Sequence, residues 1–220
     1  ACTDDADVLP ADKPTGETSS LRITMHIPEY QIAPQTRATS YENLLNDISL
    51  LVFDQNGLFL QRVAGYNLNS LEDGSLNGYG TFSADVPAET RIIHYIANYE
   101  NWASFDERVA LHKDERELVP SLITSNLVFW GRSTVAAAAA TDNVTLFRNQ
   151  AKITVESNAS NFTVTGYGFA NFSAQGTISS FNSSEANPFV ILENKPTLAA
   201  GESPTADQNE AEGVMSAKNR

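Results

Sequence analysis

The sequence is poor in cysteine, since Cys2 is the only one among its 220 residues. A disulfide within the chain is therefore excluded, and a single thiol does not make a typical zinc site. The sequence also lacks an apolar run of roughly 18 residues, the length that a membrane-spanning helix requires. A chain of this length buries enough apolar surface to fold without a metal or a disulfide.

Basic residues are scarce as well. The chain has 14 Lys and Arg against 27 Asp and Glu, which gives a net charge of −13 at pH 7. An acidic surface repels phosphate backbones, so the sequence argues against nucleic acid as a partner. Much of the acidic excess lies in residues 1–18 and 193–212, which each hold five acidic residues and one Lys. We predict a flexible tether at 1–18, one β-sandwich domain at 19–192, and at 193–220 a polar tail or the start of a missing C-terminal domain.

The familiar motifs of catalysis and cofactor binding are absent from the sequence. It has no H-E-x-x-H pair, no G-x-S-x-G elbow, no P-loop and no dinucleotide fingerprint. The histidines lie in separate predicted elements, and His94, inside an apolar strand, is predicted to be a core residue. Asp114 and Glu115 are predicted on the exposed face of a helix. The sequence therefore predicts a protein that is not an enzyme, with no cofactor and no metal site.

Alternation with a period of two dominates the body of the chain. Leu21, Ile23, Met25 and Ile27 alternate with polar residues, which predicts a half-buried strand over 21–27. Asn56-Gly57 follows an apolar run at 46–53 and precedes a second run at 58–63, a pattern typical of a β-hairpin. Further strands are predicted at 79–86, 90–97, 126–130, 143–155, 162–169 and 172–181. One helix is predicted over about 103–118, with Ser104 or Asp106 as its cap. These elements predict an all-β fold, a Greek-key β-sandwich with one short helix.

The N-terminus has an unusual sequence. Cys2 follows the small residue Ala1 and precedes the acidic run of Asp4, Asp5 and Asp7. This arrangement resembles the cleavage point of bacterial lipoproteins, where the new N-terminal cysteine carries acyl chains that anchor a domain to the membrane. The alternative is a frayed terminus with an incidental cysteine.

The polar segment 35–40 connects the predicted strands 21–27 and 46–53 and contains Arg37 followed by Ala38. Exposed connections of small polar residues are preferred sites of proteolysis. A cut after Arg37 would delete the first strand and leave a groove with unpaired backbone groups, which could accept a strand from another chain. The alternative is a long β–β loop that happens to contain an arginine.

Several segments, in this order and spacing, resemble a known family. They are Cys2 with its acidic followers and residues 36–39, 48–57, 91–98, 148–153 and 162–167. Together they resemble the N-terminal domain of the Bacteroidetes fimbrillin family, the subunits of type V pili. The second domain of that family and its terminal donor segment are not recognisable in this sequence.

The resemblance implies a transthyretin-like β-sandwich that is exported as an outer-membrane lipoprotein and assembles into a fimbrium at the cell surface. Cys2 would carry the lipid, and an arginine-specific protease would cut between Arg37 and Ala38. The strand with Leu21, Ile23, Met25 and Ile27 would then be released and replaced by a strand of another fimbrial subunit. The family also implies a role in adhesion, with a host receptor or glycan as a possible partner.

A second hypothesis is a monomeric surface lipoprotein that binds a glycan or a host protein. Exposed aromatic residues in loops would then stack on sugars, and the candidates are Tyr66, Tyr79, Tyr99 and Trp102. The alternative for these residues is that they are hydrophobic plugs at the ends of the sandwich, which fits Trp102 best.

Overall fold

The computed structural model describes residues 16–28, 45–70, 78–150 and 175–189. These residues form eleven strands, two α-helices of four residues each and two 3-10 turns. The strands are β1 (Thr18–Ile27), β2 (Ile48–Phe53), β3 (Phe59–Ala64), β4 (Tyr66–Ser70), β5 (Gly78–Pro87), β6 (Ile92–Ala97), β7 (Ile123–Thr124), β8 (Phe129–Thr134), β9 (Thr141–Thr145), β10 (Phe147–Arg148) and β11 (Gly176–Thr177). The helices are α1 (Glu107–Ala110) and α2 (Glu115–Leu118).

The long strands form two sheets. A four-stranded sheet has the order β4-β5-β1-β9, and a five-stranded sheet has the order β10-β8-β6-β2-β3. β7 and β11 form a separate two-stranded ladder. The predicted all-β sandwich is therefore confirmed, and β1, the first strand of the described residues, lies inside its sheet rather than at an edge.

The main hydrophobic core lies between the two sheets. Alternate residues of β1, β2, β5 and β6 are buried in it together with Phe129, Val144 and Leu146. The period of two follows from the pleat, because successive side chains of a strand point to opposite faces of its sheet. Residues of β1 outside this core, such as Arg22 and Thr24, are exposed.

A second core covers the outer face of the five-stranded sheet. Leu51, Phe53, Ile96 and Trp130 lie in it, packed with residues of the helical segment and of 175–189. The central strands are thus buried on both faces, and all six residues of β2 are buried. This double burial explains why 46–53 reads as a nearly continuous apolar run instead of an alternating one.

The predicted hairpin joins β2 to β3. Asp54 Oδ1 accepts hydrogen bonds from the backbone N–H groups of Asn56 at 2.8 Å and Leu58 at 2.9 Å. Gly57 has φ of +79°, a left-handed conformation that glycine adopts without a steric penalty. The Asn-Gly pair therefore marks this turn correctly.

The helix predicted over about 103–118 is divided. Asp106 caps α1 and Asp114 caps α2, each by accepting a hydrogen bond from a backbone N–H two residues later. Between them the chain pairs with β3, since Phe59 N–H donates to Lys113 O at 2.8 Å and His112 N–H donates to Phe59 O at 2.9 Å. These hydrogen bonds to β3 replace those of a continuous helix, and His112 takes a φ of +62°.

Other boundaries also differ from the prediction. The strand predicted at 126–130 begins later, as β8, because the side chains of Thr124 and Asn149 accept hydrogen bonds from the N–H groups of Asn126 and Val128. The strands β4 and β7 were not predicted, since both are short. The strand predicted at 162–169 lies outside the described residues, as do residues 1–15 of the tether and the whole of 193–220.

Candidate functional site

The strand β1 lies between β5 and β9 in the four-stranded sheet, and we call this position the seat of β1. It pairs antiparallel with β5, where Leu21 lies opposite Ala84 and Ile23 opposite Phe82. On its other side it pairs in parallel with β9, where Ile23 lies opposite Asp142. Removing an inside strand breaks two ladders at once, so the seat of β1 is a groove with two walls.

The four predicted apolar residues of β1 all face the main core. Leu21 is 1% exposed, Ile23 0%, Met25 2% and Ile27 3%. Their burial confirms the predicted alternation. The release of this strand stays a prediction.

Hydrogen bonds tie β1 to the segment around β9 at both ends. Arg22 N–H donates to Ala140 O at 3.0 Å, and Leu146 N–H donates to His26 O at 2.7 Å. Beyond the end of the strand, Arg148 donates to Pro28 O at 2.7 Å. These hydrogen bonds fix the register of β1 against β9.

Met25 fills a pocket that exists because Gly80 has no side chain. An added Cβ at Gly80 would lie 2.3 Å from Met25 Cε and 2.8 Å from Asn69 O. Cβ atoms in proteins do not approach other atoms so closely, so a side chain at Gly80 would take the space that Met25 fills. The seat of β1 therefore has a pocket for a long, unbranched side chain at this position.

A buried polar cluster lies on the outer face of the five-stranded sheet, away from the main core. Glu115 Oε2 accepts a hydrogen bond from His94 Nε2 at 2.8 Å, and the two carboxylate oxygens of Glu115 accept from Arg132 at 2.9 and 2.8 Å. Trp130 Nε1–H donates to His94 Nδ1 at 3.1 Å. Since Nδ1 is an acceptor, His94 carries its proton on Nε2 and is neutral.

The environment sets the charges of this cluster. Burial lowers the pKa of His94, and the neighbouring carboxylate of Glu115 does not outweigh that effect. Burial alone would raise the pKa of Glu115, but hydrogen bonds from His94 and Arg132 lower it to about 2. The cluster therefore joins a neutral histidine to an ionised Glu115–Arg132 pair.

A His–Glu pair could serve in acid–base catalysis, but His94 is 0% exposed and packs edge-on against Phe53 and Phe189. A substrate cannot reach its ring nitrogens, both of which already have partners. We interpret the cluster as structural, because it fastens α2 to the sheet. The prediction of His94 as a core residue is confirmed.

The prediction for Glu115 is wrong, since this residue is buried and not on a solvated helix face. Local sequence gives no signal for its burial. Its partners lie 21 and 17 residues away on separate strands, and they meet the carboxylate only in the folded sheet.

The cluster predicts a loss of stability in acid. Below pH ~6.5 the unfolded chain protonates His94 while the folded chain does not, and below pH ~4.5 the same holds for Glu115. Stability is therefore fully present above the unfolded pKa values and is lost as pH falls. Urea unfolding between pH 7.5 and 5 should show a shallower pH dependence in His94→Gln than in the wild type. An equal slope in His94→Gln and in the wild type would contradict this interpretation.

The aromatic candidates for sugar binding are placed differently from one another. Tyr66 is 40% exposed, and its hydroxyl donates to Asp85 at 3.0 Å. Tyr99 is buried, contrary to the hypothesis that it is exposed, and its ring packs edge-on against Trp102. Trp102 is half-buried against the second core and lies under the guanidinium of Arg62, as expected of a plug. Tyr79 lies in β5, and its side chain is outside the description.

A shallow cleft of about 370 Å³ lies beside the helical segment. Tyr99, Phe105 and Lys113 line it, and the exposed apolar residues Val109 and Ile123 also contribute to its lining. None of its lining residues belongs to β1, and Tyr99 is too deeply buried to offer a ring face for stacking.

Cys2, Arg37 and Ala38 lie outside the described residues, so their roles stay predictions. Within the described ranges, no group of three or more His, Cys, Asp or Glu is placed to hold a metal ion. No helix in the described part of the chain is long and apolar enough to cross a membrane.

Comparison with known proteins supports a fimbrial relationship. No protein-family model matches the chain. It is 33% identical over 123 residues to the major fimbrium tip subunit FimE of Porphyromonas gingivalis, and the match covers 52% of this chain and 20% of that protein. The chain thus spans about one fifth of the length of the curated relative that it matches.

The fold has a counterpart among solved structures. A fimbrial assembly protein from Parabacteroides distasonis matches with a TM-score of 0.51 at 14% identity, over 79% of this chain and 70% of that one. At this identity the likeness shows a shared fold. FimE is a fimbrial tip subunit, which agrees with the prediction from the sequence that this chain is not an enzyme. The match to FimE confirms the predicted resemblance of this chain to fimbrial subunits.

Proposed function

We propose that this protein is a structural subunit of a cell-surface fimbria, a type V pilus, and that it assembles by strand exchange triggered by proteolysis. Cleavage after Arg37 releases β1, and a strand of another subunit takes the vacant seat. The observation that carries the proposal is the placement of β1, which is the first strand of the described chain and lies inside its sheet.

The burial of β1 explains why the vacant seat would be refilled. Burying a side chain such as Leu, Ile or Met contributes about 1.5–3 kcal/mol, so the four inward residues together contribute on the order of 6–12 kcal/mol. A whole domain is stable by only about 5–15 kcal/mol. A subunit without β1 is therefore marginal until another strand covers its core.

The pairing pattern indicates what kind of strand fits the seat. Backbone N–H and C=O groups of β5 and β9 supply the hydrogen bonds, and the alternate pockets that now hold Leu21, Ile23, Met25 and Ile27 set the register. A replacement that keeps this register runs antiparallel to β5 and parallel to β9. It carries apolar side chains at every second position.

The pocket at Gly80 gives a prediction about this fit. Gly80→Ala forces its Cβ against Met25 Cε and the backbone at Asn69, and such overpacking destabilises by about 1–3 kcal/mol. Urea unfolding would measure the loss. Gly176→Ala is the matched control, because nothing lies within 4 Å of its added Cβ. Equal stability of the two variants would show that the space beside Gly80 does not restrict the side chain that lies in this pocket.

The proposal includes a lipid anchor. Acylation of Cys2 would attach the precursor to the outer membrane, with the segment before β1 as the tether and the sandwich outside the cell. This part rests on the sequence alone, and mass spectrometry of the protein isolated from membranes would test it by the added mass of the acyl chains.

Limited digestion tests the assembly itself. An arginine-specific protease is added to the full chain and to Arg37→Ala, and size-exclusion chromatography follows the products. We expect the wild type to lose the segment before Ala38 and then to bind an added labelled peptide of residues 18–28, while Arg37→Ala keeps its segment and binds none. A cleaved wild type that binds no peptide would contradict strand exchange and favour a monomeric surface lipoprotein that binds a glycan or host protein.

A further inference from the structure

The strand β9, which forms the second wall of the seat, depends on β1 for its pairing. Within the described residues, β9 pairs in its sheet with one strand, which is β1 itself. Release of β1 would remove the ladder that β9 forms among these residues, whereas β5 would keep β4 as a partner. A groove that is to accept a new strand needs something else to hold β9 in place.

A hydrogen-bonded cluster at the inner side of β9 is suited to this task. Tyr95 Oη donates to Asp142 Oδ2 at 2.6 Å, and the hydroxyl of Ser133 donates to the same oxygen. Asp142 belongs to β9 in the four-stranded sheet, whereas Tyr95 and Ser133 belong to β6 and β8 in the five-stranded sheet. The cluster therefore connects the two sheets across one end of the core.

We propose that Tyr95, Asp142 and Ser133 are positioning residues that hold β9 as the second wall of the acceptor groove while the seat of β1 is empty. This inference rests on the proposed function and adds the residues that keep the acceptor competent.

The chemistry of the cluster supports this role. Hydrogen bonds from hydroxyl groups to an ionised carboxylate are stronger than those between neutral groups. Burial, together with the neighbouring charge of Asp142, raises the pKa of Tyr95, so the phenol keeps the proton that it donates. The ring of Tyr95 is itself fixed in the core, 0% exposed and edge-on to Phe82.

A close contact between β8 and β9 also holds β9 in place. A Cβ added at Gly131 of β8 would lie 2.5 Å from Thr145 O and 2.7 Å from Val144 Cγ2. β9 thus lies directly against β8 of the opposite sheet. None of the atoms in these contacts or in the cluster belongs to β1, so they persist when β1 leaves.

Hydrogen exchange of the full chain tests the cluster itself. Tyr95→Phe removes the hydroxyl at nearly constant volume, and we expect the amides of 141–146 to exchange about tenfold faster. Tyr99→Phe is the control, because it removes a tyrosine hydroxyl that donates to Ile123 O in the second core, away from β1 and β9. Ser133→Ala should act in the same direction and keeps the test available if Tyr95→Phe does not fold. Unchanged exchange of 141–146 would overturn the inference.

A second experiment separates the cluster from the proposed function. The full chain is cut after Arg37 and mixed with an isotope-labelled peptide of residues 18–28, whose residence time is followed by native mass spectrometry. We expect Tyr95→Phe to lose the peptide about tenfold faster than the wild type and Tyr99→Phe to retain it. Equal retention by all three proteins overturns the positioning role. If the wild type takes up no peptide, strand exchange fails and the acceptor role with it, while the exchange of 141–146 still decides whether the cluster holds β9.

Discussion

Ile23→Ala is expected to loosen β1 more than any exposed change in the same strand. Ile23 is 0% exposed and lies between Phe82 on β5 and Asp142 on β9. Truncation of a buried Ile to Ala costs about 2–5 kcal/mol, because it removes apolar contacts and leaves a cavity. Urea unfolding of the intact chain measures this loss.

The same variant gives a kinetic result once the chain is cut after Arg37. Weakening by about 2 kcal/mol or more corresponds to release of the strand at least about thirtyfold faster. Thr24→Ala is the control, since Thr24 is the exposed neighbour of Ile23 on the same strand. If Ile23→Ala releases the strand no faster than Thr24→Ala does, the inward residues do not hold β1 in its seat.

The second large effect is expected at Glu115. Glu115→Ala leaves the guanidinium of Arg132 without its carboxylate and the buried Nε2–H of His94 without an acceptor. Breaking a buried ion pair by removing one partner destabilises by about 3–5 kcal/mol, because an uncompensated charge stays behind. Since Arg132 is 20% exposed and water can reach part of it, we expect the lower end of that range.

Glu117→Ala is the control for this prediction. Glu117 lies in the same helical turn, but it is 68% exposed and its contact with Lys113 is 3.6 Å long. Surface pairs of this kind contribute about 0–1 kcal/mol. Thermal unfolding measures the loss of stability in both variants. If Glu115→Ala and Glu117→Ala lose similar amounts, the structural role of the cluster is contradicted.

The sequence predicted those features whose causes are local. The alternation of Leu21, Ile23, Met25 and Ile27 reflects a strand with one face in the core, and this pattern is visible within seven residues. Asp54, Asn56 and Gly57 likewise form a turn from hydrogen bonds that span at most four residues. In both cases the residues that cause the structure are neighbours in the chain.

The features that the sequence did not reveal depend on distant partners. The parallel pairing of β1 with β9 joins residues that lie more than one hundred positions apart, such as Ile23 and Asp142. Glu115 is buried only because His94 and Arg132 meet it on two other strands. The predicted helix is interrupted where His112 and Lys113 pair with Phe59 instead.

A covalent lock on β1 is the most direct test of strand exchange. Thr24 on β1 lies directly opposite Thr81 on β5, on the face away from the core. In a Cys2→Ser background, Thr24→Cys combined with Thr81→Cys places two thiols on adjacent strands, where a disulfide can form. Each single variant serves as a control.

Each protein is cut after Arg37 and mixed with an excess of a labelled peptide of residues 18–28, with and without a reductant. If β1 has to leave for another strand to enter, the oxidised double variant takes up no label. Reduction then lets it take up the peptide as the single variants do. Peptide bound while the disulfide is intact would show that a strand is accepted with β1 in place, and strand exchange at this seat would be wrong.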